Sequence, residues 1–192
     1  MGLLALGARA VVAGAEYELD CLIYATGFEV GTDYTRRAGY ELVGRDGLTL
    51  SQKWGDGVTT LHGLHIHGFP NCFMMSIAQS GFTVNFPYMI NEQAKHIAYI
   101  IERAIDKGIQ SLEVSEEAEA EWVDTVIRLA DLTTDFAEQC TPGYYNNEGH
   151  PGKKGRQGGF FFGGPTEFVK TLEDWRADGE MKGLNVNRGL DP

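Results

Sequence analysis

The run Cys72-Phe73-Met74-Met75-Ser76-Ile77, broken by Gln79-Ser80-Gly81 and followed by a long amphipathic stretch, constrains the fold more than any other part of the chain. Its apolar, strand-favouring residues predict a strand buried on both faces, as in a parallel sheet. Downstream, Ile90, Ala94, Ile97, Ile101 and Ala104 or Ile105 keep the i, i+4, i+7 rhythm of one buried helical face and predict a helix from about Asn85 to Lys107. Pro87 fits its first turn, where a missing N–H costs nothing, and Gly108 is placed to cap its end. Strand, break and helix in that order put a helix N-terminus at the carboxyl end of a strand, where α/β folds bind ligands. The same order also serves as a plain connection with no ligand.

A second run of this kind precedes it. Leu22-Ile23-Tyr24 reads as another buried strand, ended by Gly27. It is fed by a hairpin with strands at Ala8 to Val12 and Tyr17 to Ala25 around the turn Ala13-Gly14-Ala15-Glu16. Residues 31–57 are glycine-rich and form a connecting excursion with one helical turn at Leu50 to Trp54. Thr59 to His67 is β-like and Gly68-Phe69-Pro70-Asn71 a turn. Ser115 is a suitable N-cap for a helix from about Glu116 to Asp135, whose acidic first turn of Glu116, Glu117 and Glu119 complements the helix dipole. Its apolar stripe is Ala118, Trp122, Val126 and Leu129. A glycine-rich loop from Cys140 to Gly159, a strand at Phe160 to Phe162 and a helix from about Thr166 to Ala177, with Phe168, Leu172 and Trp175 on one face, complete an α/β chain.

Composition narrows the function. With 192 residues, 43% of them hydrophobic, the chain can bury one sizeable core. A net charge of -11 disfavours a nucleic-acid partner, because an acidic surface repels phosphate at long range. Cys21, Cys72 and Cys140 are odd in number and widely spaced, which predicts neither a disulfide framework nor a thiolate zinc site and fits a cytoplasmic setting. Met1 to Ala15 lacks the basic start of a signal peptide, and no run is long enough to cross a bilayer, so no membrane partner is expected.

His65 and His67 would share one face of a strand, with His62 nearby. No third ligand stands at zinc spacing, so the alternation fits a surface feature better than a metal site, and no metal is expected. His96 reads as a partly exposed helix residue. Neither Gly-x-Ser-x-Gly, His-Glu-x-x-His nor a Walker sequence is present.

Several words in fixed order carry a resemblance. Asp20-Cys-Leu-Ile-Tyr-Ala-Thr-Gly-Phe28 resembles the second Ala-Thr-Gly segment of the flavin-containing and Baeyer-Villiger monooxygenases. Gly68-Phe69-Pro70-Asn71-Cys72-Phe73, then Gln79-Ser80, Asn85-Phe86 and Glu92-Gln93-Ala94, resembles the Baeyer-Villiger segment that leads into the helix under the flavin. Ile77-Ala78 stands where Gly-Pro is usual there. Together with Leu50-Ser51-x-Lys53-Trp54, the likeness spans about residues 16 to 180. The loop from Cys140 to Lys154 is similar to the one that folds over bound NADP in that family, with Tyr144 in place of the usual Trp.

The resemblance implies the C-terminal half of an FAD-binding, Rossmann-like domain with a helical cover, residues 28–192, preceded by the end of an NADPH domain and its return linker, residues 1–27. It further implies FAD and NADPH as cofactors, a ketone and O2 as substrates, and an ester or lactone as product. Cofactor contacts are expected at Ile77, Ala78, Gln79, Ser80, Thr83 and Asn85, and at Tyr144, Tyr145 and Lys153. Lys153, Lys154 and Arg156 would meet nucleotide phosphates, or equally form a solvated basic loop. The chain has no Gly-x-Gly-x-x-Gly phosphate loop between a strand and a helix and no residue expected to act as catalytic acid, base or nucleophile. It therefore reads as the C-terminal part of such an enzyme, truncated or separately encoded, needing the missing N-terminal half and inactive alone. The alternatives are a fragment of an N- or S-oxygenating flavin monooxygenase and a non-catalytic nucleotide-binding or interaction module.

Overall fold

In a computed structural model, the described residues are 8–25, 34–130 and 157–189, and the chain divides into two units, residues 1–30 and 31–192. In the first unit β1 (Ala8–Val12) pairs antiparallel with β2 (Ala15–Leu19), Ala8 opposite Leu19 and Val12 opposite Ala15. Ala13 and Gly14 both take positive φ, +49° and +84°, making the two-residue turn whose twist suits a hairpin. The turn is therefore shorter than expected, and β2 ends at Leu19. Leu22-Ile23-Tyr24 is not a buried strand: it has no ladder partner among the described residues of this unit, and Ile23 is 81% exposed.

The second unit contains α1 (Tyr34–Ala38), a 3-10 turn (Arg45–Gly47), α2 (Leu50–Lys53), α3 (Phe86–Asp106), β3 (Ser111–Val114), α4 (Glu116–Ala130), α5 (Pro165–Asp178) and β4 (Leu184–Asn187). β3 and β4, which the sequence did not suggest, pair antiparallel with Ser111 opposite Asn187. Helices and strands mix in one α/β chain, and both described sheets are antiparallel pairs. One core gathers Leu61, Met89, Val114, Trp122, Val126, Phe161, Phe168, Val169 and Leu172. A smaller one, Leu50, Ile66 and Phe69, lies over α2, whose start is locked by a reciprocal Thr49/Gln52 capping box.

The helix boundaries follow the sequence closely. α3 is N-capped by Asn85 and C-capped by Lys107, α4 begins after Ser115, whose hydroxyl accepts the Ala118 N–H, and α5 buries Phe168 and Leu172. The described part of α4 ends at Ala130; its expected continuation to Asp135 lies outside the described residues. Its stripe holds, with Trp122 and Val126 buried.

The buried face of α3 is turned by about 100° from the expected one, so that Ile90, Ile97 and Ala104 are only half-buried at its margin. Met89, Glu92, Gln93, His96 and Ile100 point inward, while Ile101 is 43% and Ile105 74% exposed. Polar side chains that find hydrogen bonds can line a core as well as apolar ones.

Cys72 to Ile77 is likewise not a strand. It has no ladder partner among the described residues and is held by the Met74 N–H to the Leu64 carbonyl at 2.8 Å. Thr59 to His67 folds into a tight loop closed between Leu61 and His65, with positive φ at His62 and Gly63. Phe160 to Phe162 forms no strand among the described residues; it leads into a turn at Phe162 and Gly163, and Phe161 stacks on Trp122 at 5.2 Å.

The Gly68-Phe69-Pro70-Asn71 turn is clamped from three sides. Glu113 accepts the Gly68 N–H at 2.7 Å and pairs with Arg45, while the Arg45 N–H donates to the Gly68 carbonyl. Glu119 accepts the His67 N–H at 2.8 Å and pairs with Lys53 at 2.7 Å. Asn71, at φ +56°, bonds β3 with both its backbone and its side chain.

Candidate functional site

The break before α3 is built around Gln79, a buried non-glycine residue at φ +56°. Its side-chain amide donates to the Val58 carbonyl at 2.7 Å and to the Gln157 carbonyl at 2.8 Å, and accepts from the Thr60 hydroxyl at 2.6 Å. Its backbone N–H donates to the Gly159 carbonyl at 2.7 Å, and its carbonyl accepts the Trp122 indole N–H at 3.0 Å.

Ser80 is equally committed. Its hydroxyl donates to the Ser76 carbonyl at 2.6 Å and accepts from the Gln93 amide at 2.9 Å, and its carbonyl accepts the Phe161 N–H at 2.9 Å. The Gln93 amide also donates to the Ser76 carbonyl at 2.9 Å, so the inward face of α3 grips the turn ahead of it. Gly63 lies so close that a Cβ there would stand 2.7 Å from the Ala78 carbonyl oxygen.

Ile77, Ala78, Gln79, Ser80, Thr83 and Asn85 are thus brought together on one short segment, in two different roles. The side chains of Gln79 and Ser80 face inward and are used by the protein itself, and the backbone N–H and carbonyl of both residues also bond within the chain. Ile77, Ala78 and Thr83 are half-buried, Asn85 is exposed, and Val84 between them is 100% exposed. Tyr144, Tyr145 and Lys153, with Lys154 and Arg156, lie outside the described residues.

At the start of α3 the Asn85 side chain accepts the Tyr88 N–H at 3.3 Å, and Pro87 contributes none. The anion-attracting character of this end therefore rests on the helix dipole and the Phe86 amide. Val84, Phe86 and Tyr88 leave apolar surface in front of it. A cleft of about 490 Å3 opens beside it, lined by Thr83 and Tyr88 and, from α5, by Pro165, Thr166, Val169, Lys170 and Glu173. A positive dipole end flanked by apolar surface suits a planar aromatic group that carries or develops negative charge on one edge.

Behind the turn lies a group of histidines that sequence reasoning placed at the surface. His62, His65 and His96 are buried. His62 meets Trp122 edge-on at 4.8 Å and His96 at 5.8 Å, and His96 packs on Trp175 at 4.8 Å. Burial, reinforced by the neighbouring His65, lowers His62 to about 3. Burial alone lowers His65 to about 4. Burial, then His62, His65 and the Arg176 guanidinium, lowers His96 to about 2. All three are neutral at ordinary pH. Their signal in the sequence was the apolar setting of His62 and His65 between Leu61, Leu64 and Ile66. Among the described residues no group of three or more His, Cys, Asp or Glu is arranged to hold a metal, and no helix is long and apolar enough to cross a membrane.

No protein-family model matches the chain. Among curated proteins it is 48% identical over 181 residues to neopentalenolactone D synthase of Streptomyces avermitilis, covering 93% of this chain and 30% of that protein. It is 50% identical over 184 residues to pentalenolactone D synthase of Streptomyces arenae, covering 94% of this chain and 31% of the relative. It is 40% identical to a Baeyer-Villiger monooxygenase of Stachybotrys chlorohalonatus, covering 97% and 30%.

Among solved structures it resembles the polycyclic ketone monooxygenase of Thermothelomyces thermophila, with TM-score 0.78, 33% identity and coverage of 93% and 30%. Cyclohexanone monooxygenase in its closed form gives TM-score 0.74 at 32% identity, covering 92% and 32%, and a steroid monooxygenase bound to NADP gives 0.70 at 26%, covering 93% and 32%. The chain spans about 30% of the length of the curated relatives it matches.

Proposed function

We propose, from the premise that this chain is homologous to part of the Baeyer-Villiger monooxygenases, that it forms the C-terminal half of the FAD-binding domain of such an enzyme. Residues 28–192 then supply the end of a Rossmann-like fold and its helical cover, and residues 1–27 the return from an NADPH-binding domain. The whole enzyme uses FAD, NADPH and O2 to convert a ketone to an ester or lactone. The observation that carries this reading is the Gln79-centred turn set directly ahead of the capped end of α3, with wholly exposed Val84 beside it.

The residues present fit the flavin. When bound, it supplies the oxygenating chemistry. The α3 N-terminus would lie against the flavin edge that gathers negative charge on reduction, stabilising that charge without a side-chain cation. Ile77, Ala78, Thr83 and Asn85 line the approach, with Gln79 and Ser80 shaping the turn behind them. Tyr144, Tyr145 and Lys153 are proposed contacts to the nicotinamide nucleotide.

The outward stripe of α3, with exposed Ile101 and Ile105, supports a second half of the domain as the partner that covers it. The test is a chimera in which this chain replaces the corresponding segment of the polycyclic ketone monooxygenase. It is expected to purify with flavin absorbance and to oxidise NADPH in a ketone-dependent manner, whereas the 192-residue chain alone shows neither. A folded chimera without flavin overturns the proposal.

A further inference from the structure

We infer that Gln79 is a positioning residue whose side-chain amide ties the turn ahead of α3 to the Gln157–Phe161 segment, so that the two hold one geometry. The inference rests on the flavin-site reading only for its importance to catalysis; the tie itself is a property of the described residues.

Five hydrogen bonds converge on this residue from three other segments: Val58 and Thr60, Trp122 on α4, and Gln157 and Gly159. Two run to the 157–159 segment, one from the side chain and one from the backbone. The Phe161 N–H to the Ser80 carbonyl adds a third link between the same strips of chain. A positive φ at a residue other than glycine costs about 1 kcal/mol and persists where the surroundings over-determine it. Glycine would meet the backbone requirement at no cost. A residue with a two-donor, one-acceptor amide stands there instead, and each of those groups has a partner. The amide is therefore the part that the site needs.

Two variants of the 192-residue chain separate the amide from the backbone conformation. Gln79→Gly keeps the positive φ and deletes the amide. Gln79→Glu keeps the acceptor for Thr60 but presents a carboxylate oxygen to the Val58 and Gln157 carbonyls. Amide hydrogen exchange is followed on peptides covering 77–85, 157–161 and, as a reference, 116–130. The Trp122 indole N–H resonance is followed by nuclear magnetic resonance.

The expected result for Gln79→Gly is at least tenfold faster exchange in 77–85 and 157–161 together, with 116–130 and the Trp122 indole resonance unchanged. Gln79→Glu is expected to show the same pattern or stronger. Wild-type protection of either segment in Gln79→Gly overturns the inference, because the residue would then matter only for its φ. So does faster exchange spread evenly over 116–130. Should Gln79→Glu not fold, the glycine variant still decides. Because no readout involves flavin, failure of the tie and failure of the flavin-site reading are told apart.

Discussion

Asn71 and Leu112 bond each other twice: the Asn71 N–H donates to the Leu112 carbonyl at 2.9 Å, and the Leu112 N–H donates to the Asn71 side-chain carbonyl at 3.0 Å. The Asn71 amide group also reaches the Gln110 carbonyl at 3.0 Å. The last residue of the Gly-Phe-Pro-Asn turn thus stands beside β3 as an added rung of ladder. Asn71→Ala loses the two side-chain bonds and, with them, the amide that makes asparagine tolerant of a positive φ. It is expected to cost about 2 to 3 kcal/mol, read as a lower urea midpoint at unchanged slope.

The buried histidines set a pH dependence. All three have folded values well below the 6.5 of a free imidazole. Between that value and their folded ones, the unfolded chain binds protons that the folded chain refuses. Their contribution is intact above about pH 6.5 and stability falls as the pH drops toward 4, by up to about 1.4 kcal/mol per pH unit for each histidine. Chemical denaturation at pH 7 and pH 5 measures the slope. His96→Leu, which removes the ring packed on Trp175 and beside Arg176, is expected to make that slope shallower.

Glu119 holds two partners at once, the His67 N–H and the Lys53 ammonium, with its side chain 4% exposed and that of Lys53 18%. Glu119→Ala leaves both unsatisfied and is expected to cost about 3 kcal/mol. Glu119→Gln keeps an acceptor for His67 and costs less. In a double-mutant cycle with Lys53→Met, the second substitution is expected to recover part of the loss, since it removes the stranded charge. Additive losses would contradict the pairing.

The outward stripe of α3 separates folding from assembly. Ile101→Lys and Ile105→Lys, at exposed positions, are expected to change the stability of the chain by less than about 0.5 kcal/mol each. In the chimera the pair is expected to abolish flavin incorporation, because the charges would have to be buried against the second half of the domain. Flavin content per folded protein is the measurement.

The boundaries of α3 and α4 were legible because caps and breakers mark them, Pro87 and Gly108 for α3 and Ser115 for α4, while α5 was legible from its apolar face of Phe168, Leu172 and Trp175. The orientation of α3 was not. Its isoleucines carry the apolar rhythm, while the inward face is built from Gln93 and His96, whose suitability for burial depends on Ser76, Ser80 and Trp175, far away in the sequence. The runs at Leu22 to Tyr24, Cys72 to Ile77 and Phe160 to Phe162 have strand-like composition, but a strand exists only where a neighbour supplies the ladder. For the candidate site, the segment 77–85 was found from the glycine break and the helix start. The inward commitment of Gln79 was hidden, since its partners at Val58, Trp122, Gln157 and Gly159 are set by tertiary contact alone.

Gly63 has a practical consequence for anyone redesigning this turn. At φ +72°, with the Ala78 carbonyl oxygen and the Ser80 Cβ where its own side chain would be, it gives residues 78 to 80 their room. A mutant library that randomises Ile77, Ala78 and Thr83 explores a surface whose shape is set from underneath, and most of its members should fold. One that also varies position 63 would return largely misfolded protein, and its silence about new substrates would say nothing of the pocket.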